Sequence, residues 1–231
     1  MNNSVNIQEL KQKLSNKVLE SDWDIIDNFI HNEFGKILYN LINQVDKDHR
    51  FVPKVKDIFN AFVECPHDDL KVVMIAQDPY NNVNVPDGIA FSCSNIEEEE
   101  PMLKYIFDEL ERTIDPEYNR DLDLSRWSKQ GVLLLNTALT TNISKPGSHY
   151  SLWKPFTIKI LEYLNHNFTD LIIVLFGYKA VEWIPYLNKQ HIIKTLHPLS
   201  AEYANTNWDS KDLFNTINKK LKELNKSSIK W

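Results

Sequence analysis

The chain has 231 residues, with 26 basic and 32 acidic side chains and a net charge of −6. Its 42% apolar and 25% charged residues exclude a disordered chain, and its length suffices for one domain with its own core. The acidic balance argues against a protein that coats nucleic acid nonspecifically, and two cysteines cannot build a disulfide framework, a Cys-rich zinc site or an iron–sulfur cluster.

In chain order, residues 1–20 read as an N-terminal arm or a short helix. From Ser21 the periodicity is helical, with Ile26, Ile30, Phe34, Ile37, Leu38 and Leu41 at steps of three and four. A short helix is predicted over 57–63, and the run KVVMIA at 71–76 reads as a buried strand ending in a proline turn. An amphipathic helix follows at 102–113, with Leu103, Ile106, Phe107 and Leu110 on one face. VLLL at 132–135 is a second strand and 153–165 a helix carrying Trp153, Phe156, Ile160 and Leu164. LIIVLF at 171–176 is a third strand, ended by Gly177, and 179–187 a short helix bent by Pro185. HIIKTL at 191–196 is a fourth strand, before a closing helix at 211–224.

Four apolar strands separated by helices predict an α/β fold. The expectation is a single domain over 21–231, with a four-stranded parallel sheet and helices on both faces. No apolar run approaches the roughly 20 residues that span a bilayer, and the first residues lack a charged-then-apolar secretion pattern. A reduced, cytoplasmic protein without a membrane partner is therefore expected.

Ligands of such sheets bind at the carboxyl ends of the strands. The first strand delivers Gln77, Asp78, Pro79, Tyr80 and Asn81; the second, Asn136; the third, Gly177; the fourth, His197, Pro198, Leu199 and Ser200. A carboxylate, an amide and an imidazole therefore converge on one edge of the sheet. No hydroxyl or thiol nucleophile pairs with a base there, and no His/Asp cluster has metal spacing. A lone carboxylate with a hydrogen-bonding histidine suits cleavage through a cationic, sugar-like transition state, with the imidazole stabilising the departing anion.

The runs KVVMIAQDPY, QGVLLLNTALT and HPLS resemble the family 1 uracil-DNA glycosylases, whose usual forms are GQDPYH, LLLN and HPSPLS. GIAFS at 88–92, LSRWSKQG at 124–131, Ser148-His149 and the terminal 229–231 are similar landmarks, so the resemblance covers residues 22–231. It implies a DNA repair enzyme, one that flips deoxyuridine out of DNA and hydrolyses its N-glycosidic bond without metal or cofactor. Asp78 is then the catalytic carboxylate that orients water and stabilises the sugar cation, and His197 the donor to uracil O2. Asn136 reads the uracil edge, Tyr80 excludes a methyl at C5, Phe91 stacks on the base, and Gln77 binds base or water. Leu199 is the expected wedge, with Ser200 and Asn81 beside it as DNA contacts. Uracil-containing DNA is the implied partner of a monomer, and a proteinaceous glycosylase inhibitor a further candidate partner.

The sequence departs from the family at the DNA grip. Asn81 replaces a histidine, HPLS is two residues shorter than HPSPLS, Tyr178 replaces a serine, and Glu97 to Glu100 occupy a loop that grips DNA in the family. Carboxylates there complement the dipole of the following helix, and they also repel phosphates. Retained chemistry with weakened duplex binding is expected. The alternative is a scaffold with this fold that binds DNA or protein and has lost useful excision. A zinc deaminase is excluded because Cys65 lacks a second nearby cysteine, and His67, Asp68 and Asp69 read as a polar connection, not a nuclease site.

Overall fold

The computed structural model describes residues 7–45, 50–188 and 191–231; residues 1–6 of the expected arm lie outside them. The runs that read as strands form β1 (Val72–Ala76), β2 (Val132–Asn136), β3 (Ile172–Phe176) and β4 (His191–Thr195). They pair in the order β2-β1-β3-β4, all parallel, with Ala76 beside Asn136 and Phe176 beside Thr195. Every residue of β1, β2 and β3 is buried, which is why these strands appear as unbroken apolar runs rather than alternating ones. β4 lies at the edge and is only partly covered.

Helices cover both faces. They are α1 (Ile7–Leu19), α2 (Asp24–Phe29), α3 (Gly35–Val45), α4 (Asn60–Val63), α5 (Pro101–Thr113), α6 (Ser125–Ser128), α7 (Tyr150–Asn167), α8 (Gly177–Val181), α9 (Ser200–Ala204) and α10 (Leu213–Glu223). Because strand side chains alternate, Val73, Ile75, Leu133, Leu135, Ile173 and Leu175 join one core with α1, α2, α4 and α7. Val72, Met74, Leu134, Val174 and Phe176 join the other, with α5, α6 and α10. Trp23, Trp153 and Trp127 are fully buried in these layers, and truncating a tryptophan so placed costs about 3–5 kcal/mol. No helix among the described residues is long and apolar enough to cross a membrane.

Of the two expectations for the N-terminal segment, the described residues form the helix, and Leu14 and Val18 of α1 sit in the core. Two other expected elements differ in detail. The helix predicted over 57–63 is a 3-10 turn at Val55–Asp57 followed by α4, because Phe59 leaves helical geometry between them. The helix predicted over 179–187 starts earlier, as α8, and stops at Val181. Pro185 opens a separate 3-10 turn (Ile184–Tyr186), where its missing N–H has no partner to lose.

The terminal landmark 229–231 is held by two side-chain amides acting as strand surrogates. Gln130 donates to the Lys230 carbonyl and accepts from its amide, both at 2.8 Å, and Asn218 does the same for Ile229. Trp231 packs edge-on against Trp127 and Phe214. Cys65 and Cys93 are both buried and unbridged.

Candidate active site

An open cleft of about 760 Å³ lies at the carboxyl ends of β1, β3 and β4. Gln77, Asp78, Tyr80 and Asn81 enter it from the turn after β1, and His197, Leu199 and Ser200 from the turn after β4. The two ionisable groups singled out in the sequence therefore share one cavity.

Asp78 is held by the turn that opens α7. Its Oδ2 accepts from the Gly147 amide at 2.6 Å and its Oδ1 from the Tyr150 hydroxyl at 3.1 Å. Burial pushes the Asp78 carboxyl above its usual range, and these hydrogen bonds, helped by Thr141 and Gln77, pull against that shift. The carbonyl of Gln77 is fixed in turn by the Thr137 hydroxyl at 2.8 Å and the Ala138 amide at 3.1 Å.

His197 is a neutral imidazole, because burial lowers its pKa below the usual 6.5. Its Nδ1 accepts from the Leu199 amide at 3.3 Å, which assigns the ring proton to Nε2. The Ser200 hydroxyl donates to the His197 carbonyl at 2.6 Å, so the hydroxyl expected at DNA first serves to fold its own turn. Gly177, with φ +77, lets this turn close: a Cβ there would lie 2.9 Å from the His197 Cβ.

Phe91 and Asn136 do not line the cleft; both are buried one residue beyond its floor. Asn136 is the register partner of Ala76, and the Phe91 ring centroid lies 4.7 Å from that of Phe176, while Ala76 and Phe176 form the floor. Phe91 has φ +70, a conformation a bulky residue adopts only under constraint. Asp87 supplies that constraint by accepting from Ile89 N, Ser92 Oγ and the Ser94 amide and hydroxyl. The Tyr80 hydroxyl donates to the Phe91 carbonyl at 2.8 Å and locks the two aromatics together.

The four glutamates divide. Glu97 and Glu98 are exposed, whereas Glu99 pairs with Arg120, which also holds Asp108 and Glu111. Glu100 precedes Pro101 at the start of α5 and lines the cleft, where burial raises its pKa. His67 uses both ring nitrogens, on Asp68 and on the Tyr163 hydroxyl, as expected of a structural connection. Gly147, Tyr150 and Asp87 were not singled out in the sequence, where no local pattern links them to the cleft.

A family model for the uracil DNA glycosylase superfamily matches residues 62–222. The chain belongs to this superfamily. It is 34% identical over 220 residues to the uracil-DNA glycosylase of Borreliella burgdorferi, covering 93% of this chain and 98% of that one. The Mycoplasmopsis pulmonis uracil-DNA glycosylase is 36% identical over 201 residues, covering 86% and 90%. Among solved structures, mimivirus uracil-DNA glycosylase superposes with a TM-score of 0.78 at 27% identity, covering 98% of this chain and 91% or 89% of that one depending on the crystal. Two single-residue variants of mimivirus UNG are solved in complex with UGI.

Proposed function

We propose that this uracil-DNA glycosylase superfamily member excises uracil from DNA with Asp78 and His197 as its two catalytic groups. The observation that carries the reading is their entry into one cleft from the ends of β1 and β4, the carboxylate accepting hydrogen bonds and the imidazole neutral. Joint placement of these groups is what an excising enzyme requires and a scaffold does not.

The C1′–N1 bond of the extruded deoxyuridine breaks with its electron pair passing to the base. Ionised Asp78 stabilises the sugar cation and directs the water, whose oxygen bonds C1′ as its proton passes to the carboxylate and the uracil anion departs. His197 Nε2–H donates to uracil O2 as negative charge grows there, a role that a neutral ring fills without titrating. Asn136 and Phe91, behind the floor formed by Ala76 and Phe176, would read the edge and face of a flipped base once that floor gives way, and Tyr80 would collide with a C5 methyl. Asn81, Leu199 and Ser200 would contact the DNA, with Leu199 filling the gap that the base leaves. A monomer acting on uracil-containing DNA satisfies all of these roles.

Uracil release from a labelled oligonucleotide, wild type against Asp78→Asn, tests the reading. Wild type releases free uracil, and the variant loses about a hundredfold or more in kcat with little change in KM. Equal release by the two proteins overturns the assignment.

A further inference from the structure

We propose that Tyr150 is a positioning residue for this hydrolysis: its hydroxyl, with the Gly147 amide, fixes the plane of the Asp78 carboxylate toward the attacking water. The inference rests on the excision reading and adds a residue that neither the motifs nor the relatives single out.

The geometry is that of a clasp. Residues 147–150 present one donor to each carboxylate oxygen, Gly147 N to Oδ2 and Tyr150 Oη to Oδ1, from a segment 69 to 72 residues away in sequence. An ionised carboxylate has about four acceptor sites, and these two donors, one on each oxygen, set the plane in which the group lies. The two clasp residues are built for each other. Gly147 has φ +77, and a Cβ there would stand 3.0 Å from the Tyr150 ring, so glycine both permits the turn and leaves the ring its place. The turn is anchored by the Ser148 hydroxyl, which accepts from Asn142 N at 2.8 Å, and by the Thr141 hydroxyl, which donates to the Lys145 carbonyl at 2.9 Å.

Burial and the neighbouring Asp78 push the Tyr150 hydroxyl well above its usual pKa, so it remains a donor wherever the enzyme works. The other titratable groups bordering the cleft are Tyr80 on the Asp78 turn, Glu100 before α5, Tyr178 and Lys179 on α8, and His197, Glu202 and Tyr203 on the β4–α9 segment. Lys179 is paired with Glu182, and His197 is neutral, so neither balances the Asp78 charge, which the Tyr150 hydroxyl stabilises as a hydrogen-bond donor. A hydrogen bond to the charged form of a carboxylate favours that form. Removing the Tyr150 hydroxyl therefore moves Asp78 toward protonation and moves the acid limb of activity to higher pH.

Tyr150→Phe removes the donor and keeps the ring against Gly147. The expected result is a fall in single-turnover kcat of about fivefold to tenfold at neutral pH, with KM within about twofold. The acid limb of kcat moves up by about one pH unit, so the deficit widens in acid and narrows in base. In an Asp78→Asn background the same substitution has no further effect on the residual rate, because the group it acts through is gone. An unmoved acid limb, or the same fold-loss in both backgrounds, overturns the inference. Wild-type release of uracil and its collapse in Asp78→Asn test the excision reading separately.

Discussion

At the scale of single residues, Gly177 shows how little space the site leaves. Its left-handed backbone turns the chain out of β3, and the hydrogen in place of a side chain admits the His197 Cβ. Gly177→Ala therefore strains the turn and displaces the imidazole together. The loss of stability should be modest, about 1 kcal/mol, because such a turn can relax. The loss of rate should be larger, about a hundredfold, since a donor shifted by a fraction of an ångström no longer meets the leaving base. Urea unfolding and single-turnover excision on the same variant separate the two. A variant that loses stability but keeps its rate would show that His197 tolerates displacement.

At the scale of elements, the loop of four glutamates is not uniform, and any repulsion of DNA should be concentrated at one position. Glu99 is neutralised by Arg120, while Glu97 and Glu98 are solvated and screened by salt. Glu100 lies in the wall of the cleft itself. Glu100→Gln should therefore lower KM for uracil-containing duplex by about fivefold at low salt, an effect that fades as salt rises, with kcat unchanged. Binding of an acidic protein that mimics DNA should tighten in the same variant, and titration calorimetry would record it. An unchanged KM at low salt would mean that Glu100 does not oppose DNA binding.

Much of this architecture was legible because burial on both faces leaves an unambiguous run of apolar residues, as in KVVMIA, VLLL and LIIVLF. The motif residues Asp78 and His197 sit at strand ends, and a parallel sheet brings strand ends together. What escaped the sequence depends on contacts between distant segments. Nothing near Tyr150 announces that its hydroxyl reaches Asp78, and nothing near Glu99 announces Arg120. The depth of Asn136 and Phe91 was equally hidden, since an apolar pattern reports that a residue is buried but not how far behind a cleft it lies. Pro185 misled for the opposite reason: a proline inside a helical pattern marks a bend or a fresh start, and only the backbone around it decides.

At the scale of the whole molecule, two neutral histidines, His149 buried and His197 half-buried in the cleft wall, couple stability to pH. Burial lowers the pKa of both His149 and His197 below 6.5. The unfolded chain takes up protons near pH 6.5 while the native state still refuses them, so stability is full above that pH and declines as pH falls below it. Each histidine withdraws up to about 1.4 kcal/mol per pH unit within its own window. Asp78 acts in the opposite sense. With its pKa raised above 3.8, the native state binds the proton first, which favours folding only at the acid end. Thermal unfolding should show a falling midpoint between pH 7 and pH 5.5. The slope should be roughly halved in His149→Gln, which removes one of the two groups. A midpoint that is flat across this range would mean that neither imidazole has a lowered pKa in the native state.

The two cysteines carry a consequence of another kind. Cys65 and Cys93 are sealed in opposite layers of the core, and burial pushes the Cys93 thiol up to about 11 and that of Cys65 higher still. A sulfur held as thiol is a poor target for alkylating or oxidising reagents. Reaction with a maleimide or an aromatic disulfide therefore awaits an excursion that uncovers one layer, and the two sulfurs act as built-in clocks for the opening of each side of the sheet.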